Sequence, residues 1–215
     1  MTLWFASGNI NKKKELAEIL SVVRDLELKI PAEAGLCFDP EETGNSFLEN
    51  ALIKAAELYK LLEKQSPAGI LHPVIADDSG ICVDALGGRP GIYSARYGIS
   101  GNGEKASATE KNAMLLDELG DSPNRSARFV CAMVIYCGPN RFYAAQEALE
   151  GELVKNADSA KGSGGFGYDP ILFIPELGRT VAELSEEEKN LYSHRGKAGK
   201  AIAKILSSIS INEKI

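Results

Sequence analysis

The residues best suited to chemistry lie where an apolar run meets paired charge. Val74-Ile75-Ala76-Asp77-Asp78-Ser79-Gly80-Ile81-Cys82-Val83 drives a strand-like segment into two adjacent carboxylates, followed by a Ser-Gly step and a second apolar run. Burying an unpaired carboxylate is expensive, so two of them at a strand end point to a cation. Oxygen ligands in this number suit Mg²⁺, which takes one or two protein carboxylates and fills its shell with phosphate and water. The competing reading is a polar hairpin turn, because Asp, Ser and Gly are all turn formers.

Three other segments carry candidate chemistry. Lys12, Lys13 and Lys14 crowd the first turn of a predicted helix, where the helix dipole favours acids instead. With Ser7-Gly8-Asn9 ahead of them, a strand, a small-residue turn and a helix N-terminus form a potential phosphate cradle; the plain alternative is a solvated lysine cluster. Gly162-Ser163-Gly164-Gly165-Phe166-Gly167 satisfies G-x-G-x-x-G, but Tyr168-Asp169-Pro170 follows where a dinucleotide fingerprint needs a helix. The loop reads better as a close approach to a ligand, with Phe166 stacking on a flat ring and Asp169 bonding its edge, or else as a plain surface loop. Lys189, Ser193, His194 and Arg195 form a donor-rich group that again puts cations at a helix start. Glu41 and Glu42 sit in a loop and by themselves are surface acids. The chain has no G-x-x-x-x-G-K-[ST] and no G-x-S-x-G, which argues against an ordinary P-loop and against a nucleophile elbow.

These residues must be positioned by an α/β framework. A strand over about 2–6 leads through Ser7–Asn11 into a helix to about Val23, with the stripe Leu16, Ile19, Leu20 and Val23. A short strand is expected around Leu26–Ile30. Ser46-Phe47-Leu48-Glu49 is a capping box opening a helix with the stripe Leu48, Leu52, Ala55, Tyr59 and Leu62, ended by residues 65–69. A strand–turn–strand over 74–83, a helix over 104–119 and a hairpin of Ala127–Cys137 with Arg141–Glu150 follow. After a strand at Ile171–Ile174, two helices open at Ser185 and Ser193. Early alternation and late strand pairing predict a mixed sheet flanked by helices, with no linker dividing the chain into independent domains.

Composition narrows the function classes. The 215 residues are 44% hydrophobic and 25% charged, with a formal net charge of −6. That disfavours nucleic acid or an anionic membrane as the main partner but leaves room for a small anionic ligand. No apolar run approaches the roughly 20 residues of a membrane helix, and the first residues lack signal-peptide character. The four cysteines form no Cys-x-x-Cys pair, and a reducing cytoplasm is the expected compartment.

Taken together, the segments resemble the inosine triphosphate pyrophosphatase family, hydrolases of non-standard purine nucleoside triphosphates. The resemblance runs through nearly the whole chain in order: Ala6-Ser7-Gly8-Asn9-Ile10-Asn11-Lys12, Glu41-Glu42-Thr43-Gly44, Ala76-Asp77-Asp78-Ser79-Gly80, Gly87 to Tyr97, Gly164 to Pro170, and Ser193-His194-Arg195-Gly196. Small departures are Ser7 where threonine is common, two lysines after Lys12, and a somewhat long stretch over 59–73. The resemblance implies an elongated α/β fold with two lobes and a central cleft, usually a homodimer, and Mg²⁺-dependent cleavage to nucleoside monophosphate and pyrophosphate. It implies that Asp78 is base and metal ligand, that Glu41 is the second metal carboxylate with Glu42 its rival, and that Asp77 supports them. Ser7, Gly8, Asn9, Ile10, Asn11 and Lys12 would bind the triphosphate and Ser79 would touch the substrate. Phe166, Gly167, Tyr168, Asp169, Lys189, His194 and Arg195 would read the purine. Two further readings stay open: a pyrophosphatase preferring pyrimidine or modified nucleotides, and a nucleotide-binding regulator without catalysis.

Overall fold

The computed structural model describes residues 1–65, 73–98 and 106–209. Residues 66–69 of the loop expected to end the second helix, the first two residues of the helix expected from 104, and residues 66–72 of the long stretch over 59–73 lie outside them. Seven strands form one sheet in the order β2-β1-β3-β4-β5-β6-β7. They are β1 (Thr2–Phe5), β2 (Glu27–Lys29), β3 (Val74–Val83), β4 (Ser126–Tyr136), β5 (Phe142–Leu153), β6 (Leu172–Ile174) and β7 (Arg179–Thr180). β1 runs parallel to β2 and β3, whereas β5–β6 and β6–β7 are antiparallel, so the sheet is mixed as expected. The helices are α1 (Ile10–Leu20), α2 (Phe47–Gln65), α3 (Ala108–Leu119), α4 (Glu186–Tyr192) and α5 (His194–Ser208).

The chain divides into two compact units, one of Met1–Asp78, Cys131–Glu147 and His194–Ile215, the other of Ser79–Val130 and Ala148–Ser193. β3, β4 and β5 each pass from one unit into the other. Each unit has its own core. In the first, Leu3 and Phe5 of β1, Ile75 of β3 and Met133 and Ile135 of β4 pack with Leu16 and Leu20 of α1 and Ala198, Ile202 and Leu206 of α5. A separate cluster joins Val74 and Ala76 of β3 to Ala55, Leu58 and Leu62 of α2. Odd and even residues of β3 thus face different helices, as the two-residue period of a strand requires. In the second unit, Ile81, Val83 and Phe129 pack with Leu115, Leu116 and Leu119 of α3 and with Ile171 and Leu172.

Two expectations are corrected. Residues 74–83 form one uninterrupted strand, not a strand–turn–strand. The glycine at this step meets a packing need, not a turn: the Gly91 carbonyl and the Ser94 side chain occupy the space where a Cβ on Gly80 would stand. The buried face of α2 is Phe47, Asn50, Ala51, Lys54, Ala55, Leu58 and Leu62, rotated from the stripe through Leu48, Leu52 and Tyr59. An apolar count skips Asn50 and Lys54, which are buried for their polarity. The other elements fall within a few residues of expectation, and the two-residue β7 has no counterpart in the sequence reading.

The expected box at Ser185 and Glu188 forms. At the start of α2 Ser46 Oγ accepts the Glu49 N–H, but the Glu49 carboxylate accepts from the Asn45 N–H instead of closing the box. A box not anticipated from sequence closes between Ser107 and Glu110. α1 and α5 approach closely at Gly199, where a Cβ would come within 2.7 Å of Ile19 Cγ2. Gly199→Val should therefore cost about 1–3 kcal/mol by overpacking, read as a lower urea midpoint at unchanged m-value, whereas Lys200→Ala on the exposed face should change stability little.

Candidate active site

Because successive strand residues point to opposite faces, Asp77 follows Ile75 toward α1 and α5, and Asp78 follows Ala76 toward α2. Asp77 Oδ2 accepts from Lys12 Nζ at 2.9 Å and from Arg195 Nη2 at 3.0 Å and Nε at 3.3 Å. Arg195 Nη1 also donates to Glu15 at 2.7 Å. Asp78 Oδ1 accepts from Lys54 Nζ at 3.0 Å and its Oδ2 from Asn50 Nδ2 at 3.2 Å. Lys54 Nζ donates at 2.8 Å to Glu42, and Asn50 Oδ1 accepts the Gly44 N–H at 2.9 Å, docking the acidic loop on α2.

The two neighbours differ electrostatically. Burial alone would raise the Asp77 carboxyl, but Lys12, Arg195 and Lys54 outweigh it and hold it well below the usual carboxylate range. Burial pushes the Asp78 carboxyl up, opposed by Lys54 and reinforced by Glu42. Burial likewise works against the Lys54 ammonium, yet Asp78, Asp77 and Glu42 raise its pKa, so it stays charged. Cys131, with its sulfur 4.0 Å from Asp77, is pushed up to about 12 by burial and by that carboxylate, which makes it an inert thiol.

The misplaced cations at the two helix starts find internal partners. Lys12 and Arg195 meet on Asp77, and Lys13 pairs with Glu33 at 2.8 Å. Asn9 caps α1 by accepting the Lys12 N–H, and Ser7 Oγ accepts the Asn9 N–H. Gly8, Asn9, Ile10 and Asn11 are exposed at this helix start, beside the internal ion pair. Any base contact by Arg195 shares its guanidinium with Asp77 and Glu15. His194 is buried next to it.

In the second unit, the buried Asp169 Oδ2 accepts from Lys189 Nζ and from the Phe166 N–H, each at 2.8 Å. The Lys189 ammonium also lies 4.7 Å from the centroid of the Phe166 ring. Asp169 therefore shapes the loop as well as offering an edge. Gly165 has φ +75°, and a Cβ there would run into the Asp169 carboxylate, so the turn requires glycine. The Tyr168 hydroxyl is buried and donates to the Ser94 carbonyl at 2.9 Å. Gly167 is half-buried, as is Ser79, the first residue of β3 in this unit.

The structure thus gathers Lys12, Asp77, Asp78 and Arg195 in one unit, and Phe166, Asp169 and Lys189 in the other. Of the two acidic-loop candidates, Glu42 lies against Lys54 beside Asp78, whereas Glu41 is exposed. The sequence ranked Glu41 first because spacing cannot tell which neighbour turns inward. Lys54, Asn50 and Glu15 were missed. Their legible signal was polar residues at helical spacing within a buried face, Phe47, Asn50, Ala51, Lys54 and Leu58. Among the described residues no group of three His, Cys, Asp or Glu side chains forms a metal nest. Mg²⁺ needs fewer, since phosphates and water complete its shell. Asp78 and Glu42 converge on the Lys54 ammonium at 3.0 and 2.8 Å, two carboxylates turned toward one positive charge, which fits such an ion.

The fold and site define a mixed-sheet α/β protein with paired, oppositely facing aspartates and a lysine-bearing helix start. A model of the Ham1 family matches residues 3–205, and the chain belongs to that family. It is 48% identical over 206 residues to a dITP/XTP pyrophosphatase of Treponema denticola, covering 96% of this chain and 98% of the relative. It is 44% identical to a dITP/XTP pyrophosphatase of Shigella flexneri, covering 92% and 93%. A HAM1 protein from Coxiella burnetii superposes with a TM-score of 0.83 at 33% identity, covering 97% and 100%, and the Ham1 protein of Staphylococcus aureus with 0.79 at 36%, covering 96% and 98%. Among the described residues no helix is long and apolar enough to cross a membrane.

Asp77 contributes stability in full above its unfolded pKa of about 3.9, and that contribution is lost as pH falls below it. Asp77→Asn should cost about 3–5 kcal/mol at neutral pH, because it leaves the buried Arg195 undercompensated. Urea unfolding between pH 7 and pH 2 should show both the loss and a shallower acid decline in the variant.

Proposed function

We propose that this protein hydrolyses non-standard purine nucleoside triphosphates, ITP, dITP and XTP, to the nucleoside monophosphate and pyrophosphate, with Mg²⁺ as cofactor. The observation that carries the proposal is the division between the two aspartates: Asp77 is locked in ion pairs, while Asp78 stands with Glu42 around one cationic centre. The names of the relatives support the substrate class.

Asp78 and Glu42 would hold the magnesium ion, which when bound neutralises phosphate charge and makes the attacked phosphorus more electrophilic. Asp78 takes the proton of the attacking water as general base. The water oxygen bonds to the α-phosphorus as the bond to the bridging oxygen breaks, and pyrophosphate leaves. The Ser7–Lys12 segment binds the triphosphate, and Lys12 and Lys54 offset its charge in the transition state. Phe166 stacks on the base. Lys189 presents a donor to the 6-oxo group, whereas the 6-amino group of adenine would set donor against donor, which buried sites penalise. Removal of such nucleotides keeps them out of DNA and RNA. The working form is a cytoplasmic homodimer, checked by light scattering across a dilution series.

Pyrophosphate should be released from ITP, dITP and XTP but not from ATP or GTP. EDTA should abolish the release and Mg²⁺ restore it. Asp78→Asn should lower kcat by on the order of 10²–10⁴-fold. Orthophosphate as product, or equal turnover of ATP and ITP, would sink the proposal, and a preference for pyrimidines would reassign the base site.

A further inference from the structure

The segment 162–169, which carries Phe166 and Asp169, has no regular secondary structure, and Gly162, Gly165 and Gly167 all have positive φ. Its geometry depends on individual bonds. Gly164 N–H donates to the Ala182 carbonyl at 3.1 Å, at the start of the loop. The bonds around Phe166 include Phe166 N–H to Asp169, Asp169 N–H to the Phe166 carbonyl at 3.4 Å, Ala182 N–H to the Asp169 carbonyl at 3.1 Å, Tyr168 hydroxyl to the Ser94 carbonyl, and Asn112 Nδ2 to the Gly167 carbonyl at 3.2 Å.

Asn112 is the unexpected member. It lies on α3, 55 residues away in sequence, on a buried face otherwise made of Leu115, Leu116 and Leu119. Its Oδ1 is buried and makes no hydrogen bond among the described residues. Stability alone would favour an apolar residue there, since a buried acceptor without a partner is costly. The half of the amide that is bonded does one thing: it holds the carbonyl between Phe166 and Tyr168.

We propose that Asn112 is a positioning residue for base selection, fixing the Gly167 carbonyl and with it the attitude of the Phe166 ring and of the Asp169–Lys189 pair toward the base. The identity of the base rests on the proposed function; the tether does not. Asn112 acts through the loop and touches no reacting atom.

The test pairs Asn112→Leu, which removes the donor and completes the apolar face of α3, with Asn112→Asp, which keeps the shape and removes the donor. Amide exchange over 162–170 should accelerate about tenfold in both as local opening becomes easier, with α3 unchanged and the Tm of Asn112→Leu not lowered. KM for ITP should rise about tenfold while kcat stays within about twofold. Preference for ITP over ATP, read as kcat/KM and as equilibrium binding without Mg²⁺, should narrow about tenfold. Faster exchange with unchanged KM and preference would reduce Asn112 to a structural tether and overturn the proposal, and so would unchanged exchange. A wild type that binds ITP selectively without turnover would defeat the proposed function alone. One that binds neither nucleotide would defeat both.

Discussion

A β-strand sends neighbouring side chains to opposite faces, and β3 places two aspartates at that alternation with helices on either side. Ile75 and Asp77 face α1 and α5, and Ala76 and Asp78 face α2. Both acids are buried, so each needs compensation from whatever covers its face. On one side the helix starts bring Lys12 and Arg195; on the other, α2 brings Lys54 and Asn50. The positions of three helices relative to one strand are therefore fixed electrostatically as well as by apolar packing.

The asymmetry of that compensation separates scaffold from chemistry. Asp77 has two cations on a single oxygen and is driven far toward the ionised form. Its role is to tie the starts of α1 and α5 to the sheet, and Glu15 completes the tie through Arg195. Burial raises the Asp78 carboxyl, and Glu42, which shares its lysine, adds to that rise. Adjacent carboxylates are thus pushed in opposite directions, as the proposed division between a structural anion and a base requires. In the other unit, the Asp169–Lys189 pair repeats the first kind of use, fixing the Phe166 loop through one buried oxygen.

Much of this was legible from residue types. Strand periodicity, Ser-x-x-Glu caps and the Gly138–Asn140 hairpin located most elements, and two charges in an apolar run located the site. Other features depend on partners far apart in sequence. Whether Glu41 or Glu42 turns inward is decided by Lys54, twelve residues beyond Glu42, and helical spacing alone cannot show that α2 buries a lysine. The lysines of α1 suggest a phosphate, whereas the partner the structure gives Lys12 is a carboxylate 65 residues on, which no local pattern reveals. Local turn preference at Ser-Gly predicts a break in residues 74–83 that the continuous strand does not make. Asn112 looked like an ordinary helix residue, since its partner is a backbone carbonyl in a distant loop.

The division between the two aspartates is tested most directly by ¹³C NMR titration of the carboxyl carbons in the intact protein, assigned with Asp77→Asn and Asp78→Asn. Asp77 should remain ionised well below the usual carboxylate range. Asp78 should titrate above the ordinary value of about 3.9. Two overlapping titrations near that ordinary value would contradict the account, because the aspartates would then occupy equivalent environments despite facing different helices.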